Sequence, residues 1–126
     1  MQKNYIFQIQ NAVYKTLFSA NLGVEVILNR GLSVVYPHII IIGTKKTVSE
    51  NLQTICVTEI QVNTKEISLA NTIDILSKIE DLLNLQNVRN NINFYSLHFC
   101  GVMSSEILTN EDGNFCGRVF LRSIMD

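Results

Sequence analysis

Apolar residues recur along this chain with two periods, and the change of period separates helices from strands. Over residues 4–20, Ile6, Ile9, Val13 and Leu17 fall at three- and four-residue spacing, which places them on one helical face. Phe7, Tyr14 and Phe18 flank that stripe, and Asn21 and Gly23 supply the stop. A second helix is predicted over residues 66–84. Its stripe is Leu69, Ile73, Leu76, Ile79 and Leu83, with Ile67 and Ala70 beside it and Thr64 placed to cap it.

The remaining segments read as strands and turns. Val24, Val26 and Leu28 alternate as in a short strand, followed by a turn at Asn29-Arg30-Gly31. Pro37, the single proline, holds Tyr36 extended. The run Ile39-Ile40-Ile41-Ile42, bounded by Pro37 and Gly43, predicts a strand covered on both faces and therefore central in its sheet. Residues 44–51 are polar and predict a loop. A further strand is expected over 52–63, carrying Ile55, Val57, Ile60 and Val62. Its inward parity changes between Val57 and Ile60, which predicts a bulge or twist there.

Residues 85–91 form an Asn-rich connection. Residues 92–109 and 115–125 then pair as a long hairpin about Asn110-Glu111-Asp112-Gly113-Asn114, in which Asp-Gly favours a tight turn. On the last strand Phe115, Val119 and Leu121 share one parity, and Cys116, Arg118, Phe120, Arg122 and Ile124 share the other. Both parities carry apolar residues, so neither face is simply solvated. The order of elements predicts an α+β fold: a mostly antiparallel sheet, two main helices packed on one face, and a long C-terminal β-hairpin. No repeat or low-complexity linker interrupts it, and residues 1–126 fit one domain.

Composition adds a bias toward association. Ile, Leu and Val make up 40 of 126 residues, and charged residues only 17%, against about 25% in ordinary globular chains. Apolar surface in excess of one core points to self-assembly. The net charge is −1 and the longest basic run is Lys45-Lys46, so no concentrated basic face for nucleic acid is visible. No run reaches the roughly 18 apolar residues of a membrane span. The N-terminus leads into an amphipathic segment instead of an apolar signal core. A cytoplasmic chain is expected.

A search for catalytic chemistry finds no constellation. Cys56, Cys100 and Cys116 are odd in number and lack a Cys-x-x-Cys spacing, which argues against disulfides and zinc and for buried thiols in a reducing compartment. His38 and His98 form no metal-ligand spacing; His98, on a strand, is the one expected to be buried and hydrogen-bonded. There is no Gly-x-Ser-x-Gly elbow and no glycine-rich phosphate loop. Glu80-Asp81 and Glu111-Asp112 read as solvated charge. Phe115 and Phe120 differ in parity, so they make no single platform for stacking bases. The reading is a non-enzyme without cofactor or metal. A stand-alone binding or regulatory module stays open as an alternative, as does an unrecognised enzyme that would need His38 or His98 to converge on Cys100.

Several segments together resemble one family. These are Ala12-Val13-Tyr14-Lys15-Thr16-Leu17 in the first helix, and Tyr36-Pro37-His38-Ile39-Ile40-Ile41-Ile42-Gly43. They continue with Thr58-Glu59-Ile60-Gln61-Val62 leading into helix two, and with the hairpin Glu111-Asp112-Gly113 followed by Gly117-Arg118-Val119-Phe120-Leu121-Arg122. Over nearly the whole chain this is similar to the tail-completion, or tail-terminator, proteins of long-tailed phages and phage-derived gene transfer agents. The chain departs from that pattern at His38, where the family often has an aromatic, and at Val62-Asn63, where it often has Val-Trp. The resemblance implies a homo-oligomeric ring, a hexamer, at the head-proximal end of a tail tube. There it would end tube polymerisation and meet the neck (head-completion) proteins, with no cofactor and no catalysis. Candidate interface residues under that implication are Lys45, Lys46 and Glu50, the turn residues Glu111 and Asp112, and Phe115, Arg118, Phe120 and Arg122 on the last strand.

Overall fold

The computed structural model describes residues 5–28, 36–50, 53–65, 69–92, 97–109 and 112–125. Helix α1 (Tyr5–Ser19) is followed by β1 (Glu25–Leu28), β2 (His38–Glu50) and β3 (Gln53–Thr64). Helices α2 (Leu69–Leu82) and α3 (Leu85–Arg89) come next, then the hairpin of β4 (Leu97–Thr109) and β5 (Phe115–Met125). The five strands lie in the order β1-β2-β3-β5-β4. All neighbours are antiparallel except β1 and β2. This is the expected α+β architecture, with its C-terminal hairpin. The turn at Asn29-Arg30-Gly31 lies outside the described residues.

The central ladder pairs β3 with β5 without interruption, from Thr54↔Met125 to Thr64↔Phe115. Along β3 burial alternates strictly, with Thr54, Cys56, Thr58, Ile60, Val62 and Thr64 inward. Ile55 and Val57 therefore face the other way, and β3 carries no bulge. The bulges sit in its neighbour, where Ile42 and Thr47 are the extra residues of β2. The apparent parity change came from counting only Ile and Val as inward. Thr58 is a core residue because its hydroxyl pairs with that of Thr44 at 2.8 Å. Thr64 pairs likewise with Thr72 on α2, so it closes β3 in the core instead of capping the helix. Buried hydroxyls satisfied in this way cost little.

Four other expectations change. The polar segment 44–50 is strand, because β3 is long enough to pair β2 as far as Glu50. β2 has a neighbour on each side, but among the described residues helices cover only one of its faces: Ile39 and Ile41 are buried, whereas Ile40 is half-buried and the bulge residue Ile42 is exposed. In β1 the buried residue is Ile27, with Val26 and Leu28 half-buried. The Asn-rich connection contains α3, capped by Asn84, whose side chain accepts from the Asn87 N–H at 2.9 Å. Arg89 then donates to the Leu97 carbonyl at 2.8 Å and ties α3 to the start of β4.

Both main helices are rotated relative to the apolar stripes. α1 buries Ile9, Ala12, Val13, Thr16 and Leu17, while Ile6 is 41% exposed. Thr16 fits a core stripe because its hydroxyl donates to the Ala12 carbonyl at 2.7 Å and accepts from Asn91 at 3.0 Å. α2 buries Thr72, Ile75, Leu76 and Ile79, followed by Leu83. Leu69 and Ile73 are left exposed. Small and hydroxyl-bearing positions thus lie on the packed side, and some large apolar residues face outward.

One close approach fixes α2 on the sheet. A Cβ built at Gly117 of β5 would lie 2.8–2.9 Å from Cδ1, Cδ2 and Cγ of Leu76. Gly117→Ala is expected to destabilise the protein by about 1–3 kcal/mol in chemical denaturation, as overpacking does. In a Leu76→Ala background the added cost should largely vanish, because the two changes share one contact. Fully additive costs would show that Gly117 is not what seats the helix.

Candidate interaction surfaces

Both main helices pack against the sheet face that carries Ile39, Ile60, Val62, Val119 and Leu121. The opposite face carries no helix among the described residues. Its side chains follow from the register, strand by strand. One row runs Gln61, Arg118, Glu106 across β3, β5 and β4; the next runs Glu59, Phe120, Ser104; a third runs Lys45, Val57, Arg122, Gly101 from β2 to β4. Beyond it lie Ile55, Ile124 and Phe99.

Arg118 organises the middle of this open face. Its Nε donates to Glu59 Oε2 at 3.1 Å and its Nη1 to Glu106 Oε1 at 3.0 Å. Gln61 Nε2 donates to the same Glu59 oxygen at 2.9 Å. The guanidinium also lies 5.0 Å from the Phe120 ring centre, within cation–π range. The hydrogen bond to Glu59 and its charge raise the Arg118 pKa further above its ordinary value. Arg118 is therefore occupied within its own sheet. Lys45 and Arg122, which flank Val57, are exposed and make no ion pair among the described residues. A shallow depression between Lys45 and Arg118 is lined by Ile42, Val57 and Phe120 among others.

The sequence-selected residues divide into separate groups. Lys45 and Lys46 are exposed on β2, and Glu50 ends that strand. Asp112 is exposed in the β4–β5 turn, where Gly113 takes a φ of 80°; Glu111 lies outside the described residues. Phe115 has the parity of the helix-covered face and is half-buried, whereas Arg118, Phe120 and Arg122 share the open face. Sequence reasoning missed Glu59 and Glu106, which become ion-pair partners of Arg118 only in the folded sheet, and Gln61, which donates to Glu59. It also passed over the outward side of α1, where Phe7 and Phe18 are 62% and 63% exposed.

The histidines and cysteines do not converge. His38 is buried and hydrogen-bonded to Asn63 at 3.1 Å, with the Tyr36 ring 5.1 Å away and Lys65 placed 4.5 Å over that ring. His98 is the exposed one, an extra residue in a bulge of β4, so the burial expected of the pair is reversed. Cys56, Ser123 and Cys100 share one register row on the core face, and the Ser123 hydroxyl donates to Cys100 Sγ at 3.8 Å. That row lies seven residues along β3 from the His38–Asn63 pair, roughly 23 Å at a strand's rise. Burial pushes all three thiols up, Cys100 to about 11. A nucleophilic cysteine needs the opposite shift. Among the described residues no three of His, Cys, Asp and Glu gather as a metal site, and no helix is long and apolar enough to cross a membrane.

No protein-family model matches the chain, and no characterised protein matches its sequence. The fold does have counterparts among solved structures. One is a chain of a native gene transfer agent particle virion. It superposes with a TM-score of 0.74 at 14% identity, over 98% of this chain and all of the other. At that identity the likeness is one of fold.

The thiol environments give a pH dependence of stability. The folded Cys100 pKa, about 11, exceeds the ordinary 9.0, so its contribution is complete below pH 9 and is lost as pH rises toward 11. The melting temperature should fall over that window, and less steeply in Cys100→Ala. Equal slopes in both proteins would rule out this assignment. Iodoacetamide should modify half-buried Cys116 in the native protein, and Cys56 and Cys100 only after unfolding.

Proposed function

We propose that this protein is a non-catalytic structural component of a phage-type particle, a tail-completion protein that closes the head-proximal end of a tail tube. The observation that carries the reading is the fold shared, end to end, with a chain of a gene transfer agent virion. The segments singled out in the sequence point the same way, from the first helix to the hairpin ending in Arg122. In this reading residues 1–126 are one assembling unit, made in the producing cell's cytoplasm and incorporated into the particle's tail.

A ring needs each copy to present two different patches, one for each neighbour. This chain has apolar surface to spare on several sides: Phe7 and Phe18 on α1, Ile73 on α2, Met103 on β4. A standard interface buries about 800 Å² on each partner, and exposed aromatic side chains supply such area efficiently. The open sheet face and the hairpin tip remain for the tube and neck proteins. No cofactor or bound metal enters this role.

Native mass spectrometry of the purified protein, alone and with tail-tube subunits, tests the proposal. The expected species is a closed homo-oligomer of six copies. Its addition to polymerising tube protein should stop elongation at one end. A monomer at every concentration and in the presence of tube protein would overturn the reading.

A further inference from the structure

We propose that the free edge of β4 docks the β1 edge of a neighbouring copy, so that the sheet runs on from one subunit into the next. The proposal rests on the ring reading above and names the contact that builds the ring.

β4 is the last strand of the sheet and β1 the first. In an antiparallel pair, alternate residues turn their N–H and C=O groups away from the partner strand. Among the described residues, the backbone of 99–109 is hydrogen-bonded to β5 and to no other main chain. An edge of this kind pairs with another chain unless lysine, proline or bulges blunt it. β4 contains no lysine, arginine or proline, and its one carboxylate, Glu106, is engaged by Arg118. Its bulges fall at His98 and Met103, ahead of Ser104, and leave Ser104–Thr109 in unbroken register.

The β1 edge matches this stretch in level and in direction. Across the sheet, Ile107 of β4 shares a row with Gly117, Val62, Ile39 and Val26. Two residues away, Ser105 shares a row with Val119, Ile60, Ile41 and Leu28. The regular part of β4 and the whole of β1 are therefore level along the strands. β4 is antiparallel to β5, β5 to β3 and β3 to β2, while β2 is parallel to β1, so β4 runs opposite to β1. A copy placed alongside with no axial shift sets Ser105–Ile107 antiparallel against Val26–Leu28 of its neighbour. A heterologous contact with no axial shift is the kind that closes; a rise at each copy gives an open helix instead. The join keeps the helices of every copy on one side of the shared sheet. Helix α1 packs on β1 and β2, so the neighbour's α1 comes beside Val102 and Ile107, the half-buried apolar residues on the helix-covered face of β4. A two-fold pairing of β4 with β4 would stop at two copies and leave the β1 edge open.

Cysteine cross-linking in the assembled protein tests the contact. The double variant Val26→Cys with Ile107→Cys, in a Cys116→Ser background, is treated with a short bifunctional thiol reagent; a retained melting temperature is the control for folding. Denaturing electrophoresis should show a covalent ladder reaching six copies. Each single variant should run as a monomer, and an equimolar mixture of the two should give cross-linked pairs. In the unmodified protein, assembly should slow hydrogen exchange at the amides of residues 104–109, whether or not the variants fold. Rings that form without cross-linking, or without that slowing, would overturn this contact while leaving the ring in place. Ile107→Cys that cross-links to itself, or slowing seen only after tube subunits are added, would overturn it in favour of a two-fold pair or a tube strand. An unmodified protein that stays monomeric, alone and with tube subunits, would overturn the ring itself.

Discussion

Everything else in this structure is set by the unbroken antiparallel ladder between β3 and β5. Its constant register from Thr54↔Met125 to Thr64↔Phe115 decides which side chains share a face. A slip of one residue would exchange the two faces entirely. The irregularities are displaced to the flanking strands. β2 takes extra residues at Ile42 and Thr47, and β4 at His98 and Met103. Bulges in the flanking strands add twist without disturbing the pairing at the centre.

The core face tolerates polar residues because each finds a neighbour. Thr58 meets Thr44, Thr64 meets Thr72, and Ser123 meets Cys100. On the open face the same register gathers Glu59, Glu106 and Gln61 about Arg118. Exposed ion pairs of this kind contribute little stability, but they engage the one cation in the middle of the face. Lys45 and Arg122 are left as its distinct basic feature. The two departures from the resembled tail-completion pattern, His38 and Asn63, prove to be register partners joined by a hydrogen bond.

Much of the fold was legible because periodicity reports element type. The 3.6-residue repeat marked α1 and α2, and the Asp-Gly turn between apolar runs marked the C-terminal hairpin. Faces were less legible. Ile6, Leu69 and Ile73 look like core residues and are exposed, whereas Ala12, Thr16 and Thr72 are buried. An apolar residue facing outward costs a monomer little, and a small or hydroxyl-bearing residue is what allows a helix to sit closely on a sheet. The polar segment after Gly43 read as a loop because its composition is that of a loop; it is strand because β3 offers it a partner.

The sequence by itself determined the α+β class, the two helices, the hairpin and the lack of a catalytic motif, since each depends on local spacing. Tertiary structure decided what no spacing encodes: which charges neutralise one another and which are left over. Arg118 and Arg122 are four residues apart on one strand with the same parity, and the sequence treats them alike. Register brings Glu59 and Glu106 to the first and Val57 and Gly101 to the second. One guanidinium is thereby held within the sheet, and the other remains exposed at the surface.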